Sequence, residues 1–176
     1  MVTEWGSYLS SSPNETKRFG ALLAAALPPR AVVALAGELG VGKTALVQGS
    51  VEGLGARVAY GEDDDGAVSP TFVLVREYVG AGDRRIVHVD AHRLGSAVEL
   101  ADLGSDDFIG VAHLSFVEWA DRVADALPRP YLRLDLSHVG ESSRRIDVSG
   151  VGEGAAPLVE AAYRALAQSG CVVERS

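Results

Sequence analysis

Apolar and polar positions recur with two different periods along this chain, and the changes of period mark its elements. Thr3 to Leu9 read as an opening strand. Ser12, Pro13, Asn14 and Glu15 then supply a helix N-cap, a first-turn proline and a capping-box acid. The helix they open is expected to run to about Leu27, where Pro28 and Pro29 stop it. Ala31 to Ala36 (AVVALA) is an unbroken apolar run, the mark of a parallel strand buried on both faces, and Ala45 to Leu54 has helical spacing. Phe72 to Tyr78 and Arg84 to Asp90, joined through Gly80 to Asp83, predict a β-hairpin. Val111 to Val117 predicts another buried strand, leading into a helix around Asp121 to Leu127. Tyr131 to Leu136 (YLRLDL) alternates strictly and pairs with Arg145 to Val148 as a second hairpin, before a final amphipathic helix over Pro157 to Gln168. Strands interleaved with helices predict an α/β fold: a central mixed, mostly parallel sheet with β-hairpins, flanked by helices. At 176 residues without an internal repeat, residues 1–176 are expected to form one domain.

Between the first apolar strand and its helix lies Gly37-Glu38-Leu39-Gly40-Val41-Gly42-Lys43-Thr44, which fits G-x-x-x-x-G-K-S/T, the phosphate-cradling loop of nucleoside triphosphatases. Strand, glycine loop, helix is the order that chemistry needs. The glycines free backbone N–H groups to wrap phosphates, and the helix N-terminus adds partial positive charge. Lys43 is one of two lysines among 16 basic residues, so arginine serves almost everywhere else. A flexible ammonium reaches between phosphates where a planar guanidinium would clash. Thr44, one of four threonines, stands where such a loop coordinates magnesium. The expected binding set is Gly37, Gly40, Val41, Gly42, Lys43, Thr44 and Ala45, and the fold class narrows to the P-loop NTPase fold.

Such a loop needs an acid at a neighbouring strand end, and two are candidates: Asp90 after IVHV and Glu118 after LSFV. Ser69-Pro70-Thr71-Phe72 places a hydroxyl, Thr71, before a strand, where it would contact a γ-phosphate or its magnesium as a switch. His88, Asp90 and His92 alternate and would share a strand face, an arrangement that also admits a transition metal. The four acids Glu62 to Asp65 read as a solvated loop.

A net charge of −8 argues against a protein that grips nucleic acid through its own basic surface. The only cysteine is Cys171, which leaves no disulfide framework and points to a reducing compartment. With no signal-like start and no apolar stretch of membrane-spanning length, the expected location is the cytoplasm.

Five motifs in order resemble the TsaE family (also called YjeE), small bacterial ATPases involved in making threonylcarbamoyladenosine in tRNA. They are Glu15-Thr16, GELGVGKT, SPTF, His88-Val89-Asp90-Ala91-His92-Arg93 and Glu118-Trp119-Ala120, covering the chain from the first helix to the hairpin at Arg145. His92 stands where the family has tyrosine, Ala120 where it has proline, and Glu62 to Asp65 looks like an insertion. The resemblance implies that ATP and Mg2+ are bound, with Lys43 on the β- and γ-phosphates and Thr44 on the metal. Glu118 would join the metal shell or orient water, Thr71 would sense the γ-phosphate, and Asp90 would hold the acidic position beside the loop. Trp119 would pack near the nucleotide, and Arg144 is a candidate for the base or its ribose. TsaD with TsaB would be the partner complex, reset by hydrolysis, with tRNA reached only through those proteins. The threonylcarbamoyl transfer itself lies outside what a TsaE-like protein does.

Two alternatives share the loop. A small-molecule kinase would need an arginine-bearing lid, for which Arg84-Arg85 and Arg144-Arg145 are the candidates. A nucleotide-gated binding module would dock to a partner with incidental hydrolysis. A GTPase is disfavoured because Asn14 is the only asparagine and an N-K-x-D motif cannot occur.

Overall fold

The computed structural model describes residues 2–59, 74–111 and 113–174. Along the described chain run strands β1 (Val2–Ser10), β2 (Val32–Ala36), β3 (Arg57–Val58), β4 (Val75–Val79), β5 (Arg85–Asp90), β6 (Leu114–Glu118), β7 (Tyr131–His138), β8 (Arg144–Val151) and β9 (Val172–Glu174). The helices are α1 (Pro13–Ala26), α2 (Lys43–Gly53), α3 (Ala97–Asp102) and α4 (Ala156–Ser169). The strands form one sheet in the order β3-β4-β5-β6-β2-β7-β8-β1-β9. Its centre, β5-β6-β2-β7, is parallel, and both flanks are antiparallel.

The apolar run of β2 behaves as its sequence requires. Val33 and Leu35 enter one core, against Phe19 and Leu23 of α1, Leu46 and Val47 of α2, and Val159 and Ala162 of α4. Val32 and Ala34 enter the other, with Val117, Leu100 of α3, Val123 and Leu127. Both predicted hairpins form, β4 on β5 and β7 on β8. Strict alternation in β7 puts Leu132, Leu134 and Leu136 into the first core and leaves Arg133 and Asp135 partly exposed.

Ser12 caps α1 by accepting the Glu15 N–H, while the Glu15 carboxylate takes the N–H of Ser11, one residue before the cap. At the other end Arg84 Nη2 donates to the carbonyls of Ala24 (2.8 Å) and Leu27 (3.1 Å), satisfying a helix terminus. Glycines let α1 and α2 touch backbone to backbone: a Cβ at Gly49 would stand 2.0 Å from the Lys17 carbonyl oxygen, and one at Gly20 2.1 Å from that of Leu46. Gly49→Ala is therefore expected to cost about 3 kcal/mol through overpacking. Urea unfolding measures it, and an unchanged midpoint would mean that the helices separate freely.

The helix expected around Asp121 to Leu127 is instead two single 3₁₀ turns, Ala120–Arg122 and Ala124–Ala126. Trp119 before them is left-handed (φ 58°), Val123 between them is non-helical (φ −129°), and Pro128 forces Leu127 to extended geometry. Between those breaks only three residues at a time run uninterrupted, too few to close an α-helical turn. The expected strand at Val111 starts later, at Leu114, and Val111 itself is exposed. β3, α3 and β9 are elements that the sequence pattern did not announce. Phe72 and the whole of Tyr60 to Ala67 lie outside the described residues.

Candidate functional site

Residues 37–42 connect β2 to α2 at the C-terminal edge of the parallel strands, where open α/β sheets form their ligand crevice. Two glycines are required by geometry. Gly42 caps α2 with φ 110°, and a Cβ on Gly37 (φ 131°) would stand 2.3 Å from the Leu136 carbonyl oxygen. Among the described residues no side-chain cap hydrogen bond closes the start of α2, which leaves its first-turn N–H groups without that partner.

Lys43 is only 4% exposed. Its Nζ donates to the carbonyls of Gly37 (2.7 Å) and Glu38 (2.8 Å) and lies 4.0 Å from the centre of the Trp119 ring. Burial pushes its ammonium pKa below the ordinary lysine value, against the opposing pull of Glu118, Asp121 and Asp90. Beside it the Thr44 hydroxyl meets both oxygens of Glu118, at 2.9 and 3.1 Å. Glu118 Oε1 is also 2.8 Å from His88 Nε2.

Asp90 and Glu118 end neighbouring parallel strands in direct register. Their partners differ. Glu118 turns to Thr44, whereas Asp90 Oδ1 accepts the main-chain N–H of His92, closing the turn after its own strand. Trp119 adopts a left-handed conformation, at a cost of about 1 kcal/mol or more for a bulky residue. That turn lays its indole beside the Lys43 ammonium, where His92 packs on the ring with centroids 4.7 Å apart. His92 thus fills an aromatic's place, and it has left the strand that carries His88 and Asp90. Among the described residues no three His, Cys, Asp or Glu side chains converge on a metal position.

A cleft of about 480 Å³ gathers Leu39, Gly40, Gly42, Lys43, Thr44, Asp90, His92, Glu118 and Trp119. Most of the residues singled out in the sequence therefore meet in one place. Val41 and Ala45 do not line it, and Val41 is fully buried in the core. Gly37 enters through its carbonyl, bonded to Lys43. Arg144 is engaged elsewhere: its Nε donates to the Val41 carbonyl (2.9 Å) and its Nη1 to that of Ser143 (3.0 Å), tying the β7–β8 turn to the loop. Thr71 lies outside the described residues. Two features escaped sequence reasoning, the left-handed Trp119 and the His88–Glu118 contact. The first has no local signal, and the second had only the alternation of His88 and Asp90.

A strand, a glycine loop with a buried lysine and a hydroxyl facing a strand-end carboxylate are the marks of the P-loop NTPase fold. The family model described as "Threonylcarbamoyl adenosine biosynthesis protein TsaE" matches residues 10–146. The chain belongs to the TsaE family. It is 34% identical over 142 residues to the tRNA threonylcarbamoyladenosine biosynthesis protein TsaE of Bacillus subtilis, covering 80% of this chain and 83% of that protein. Against the protein of the same name from Streptomyces coelicolor it is 40% identical over 143 residues, 78% of this chain and 91% of the other. The crystal structure of Bacillus subtilis YdiB superposes with a TM-score of 0.72 at 29% identity, covering 93% of this chain and 97% of that one.

Proposed function

We propose that the protein is a magnesium-dependent ATP hydrolase that supports the threonylcarbamoyladenosine modification of tRNA in the cytoplasm, resetting a TsaD–TsaB complex between rounds. The observation that carries this reading is the Thr44–Glu118 pair beside a buried Lys43 within one cleft. A hydroxyl and a carboxylate are the hard oxygen donors that magnesium takes, so Thr44 and Glu118 fit as its protein ligands. Bound there, the ion supplies charge that offsets the negative charge of the phosphate oxygens.

Lys43 exchanges the Gly37 and Glu38 carbonyls for β- and γ-phosphate oxygens, and the loop N–H groups hold the rest of the chain of phosphates. Glu118 orients the attacking water, Asp90 holds the acidic position beside the loop, and Thr71 reports the γ-phosphate. Trp119 flanks the nucleotide. Drawing Lys43 off the indole changes the surroundings of Trp119, so in a Trp5→Phe variant ATP is expected to shift the remaining tryptophan emission. Saturating ATP with an unaltered spectrum would mean that the ammonium stays parked.

With its net charge of −8, the protein meets tRNA only through its partners. Against the kinase alternative, three of its four lid candidates have structural partners: Arg84 caps α1, Arg85 pairs with Glu77 and Arg144 braces the loop. The test is ATP turnover with and without TsaD and TsaB, followed by assay of modified tRNA. Partner-stimulated hydrolysis is expected, and nucleotide binding without stimulated turnover would favour the pure binding module. No helix of the described residues is long and apolar enough to cross a membrane.

A further inference from the structure

His88 is wholly buried, midway along β5, opposite Phe116 of β6 and two residues before the Asp90–Glu118 register pair. A histidine at such a place costs hydrogen-bonding capacity unless it serves a partner. Its Nε2 has one, Glu118 Oε1 at 2.8 Å. Its Nδ1 is buried and, among the described residues, makes no hydrogen bond. A proton on Nδ1 would be stranded, so the fitting tautomer carries its hydrogen on Nε2 and donates it to Glu118.

We infer that His88 is a positioning residue that fixes the Glu118 carboxylate against Thr44. The inference rests on the proposed role of Glu118 and adds to it how that carboxylate is held. Glu118 has two kinds of donor. Thr44 contacts both of its oxygens, and its hydroxyl would turn from them to hold a metal ion; His88 contacts Oε1 alone, from an enclosed ring on a neighbouring strand. With Thr44 so turned, Oε1 would stay pinned by His88 and Oε2 would be the oxygen free for a metal ion or a water. Without the imidazole, the carboxylate rotates about its last torsion and the two oxygens lose their distinct tasks. Partners of this kind typically account for about 10- to 100-fold in metal affinity or activity.

The test compares His88→Leu, which removes the donor, with His88→Gln, whose amide reaches the position of Nε2. His88→Asn, polar but too short to reach Oε1, is a second donor-free variant should the leucine one not fold. Two readouts are taken: binding of a fluorescent ATP analogue in EDTA and across a Mg2+ titration, and ATP turnover. H88L and H88N are expected to bind the metal-free nucleotide as wild type does. Their Mg2+ enhancement of binding and their kcat should both fall about 10- to 100-fold. H88Q should recover most of both. In a Glu118→Gln background the H88L change should add nothing, because its effect runs through the carboxylate. H88Q as impaired as H88L, or an undiminished H88L effect on top of E118Q, would overturn the inference. A wild-type protein that shows no Mg2+-enhanced nucleotide binding overturns the ATPase reading and this inference together. Wild-type enhancement with H88L unaffected overturns this inference alone.

Discussion

Lys43→Ala is expected to lower ATP kcat/KM by about 1000-fold and to remove tight nucleotide binding, with the fold intact. The magnitude follows from where the ammonium sits. It is buried, held by two loop carbonyls, and flanked by an indole rather than water, so its charge is weakly screened. Alanine leaves the Gly37 and Glu38 carbonyls without that donor, but Glu38 is exposed, and water serves in its place. Lys43→Arg should fail almost as badly, since Trp119 lies 4.0 Å from the amine and leaves a guanidinium no width. Isothermal titration with ATP, alongside thermal melts, separates lost binding from lost folding. Wild-type-like affinity in the alanine variant would sink the assignment of this loop as the phosphate site.

The second large effect is expected at Glu118. Glu118→Gln should reduce kcat by about 100-fold or more while metal-free nucleotide affinity stays near wild type. A change confined to turnover is what removing a group that acts on water or metal produces. Glu118→Ala is a harsher substitution, because it strands the Thr44 hydroxyl and the buried His88 N–H together, each at about 1–3 kcal/mol if nothing replaces the carboxylate. It also removes the negative charge that most favours the Lys43 ammonium against burial. The pKa of Lys43 then falls further, so nucleotide binding by Glu118→Ala should be lost at a lower pH than in wild type as pH rises. A pH titration of ATP affinity checks the sign, and an unshifted profile would mean that the two groups do not interact. Equal losses of binding and turnover in Glu118→Gln would place the residue in ground-state binding instead.

Much of the molecule is legible in its amino-acid sequence. The two hairpins, β2 and the helix after the loop follow from patterns a few residues long, and each forms at or near its expected bounds. The capping box opens its helix with the carboxylate displaced by one residue, since a flexible glutamate takes whichever N–H lies within reach. The expected helix over Asp121 to Leu127 does not form. A left-handed Trp119, packed against His92 and the Lys43 ammonium, sets the chain off in a direction that local propensity does not encode. Arg144 shows the same limit from the other side. Its partner, the Val41 carbonyl, lies 103 positions away along the chain, so no local pattern announces that this arginine braces the loop.

The sequence by itself determined that a phosphate loop stands between a strand and a helix, and that two acids close neighbouring strands. Those are local properties, set by glycines, by one lysine and by apolar runs. Only the tertiary structure decided which acid meets Thr44. The sheet order β5-β6-β2 puts Glu118 on the strand next to the loop and Asp90 one strand farther out, where it closes its own turn instead. That order is settled by how the two cores pack against the sheet, through contacts between residues distant in the chain, and no pattern along a single segment records it.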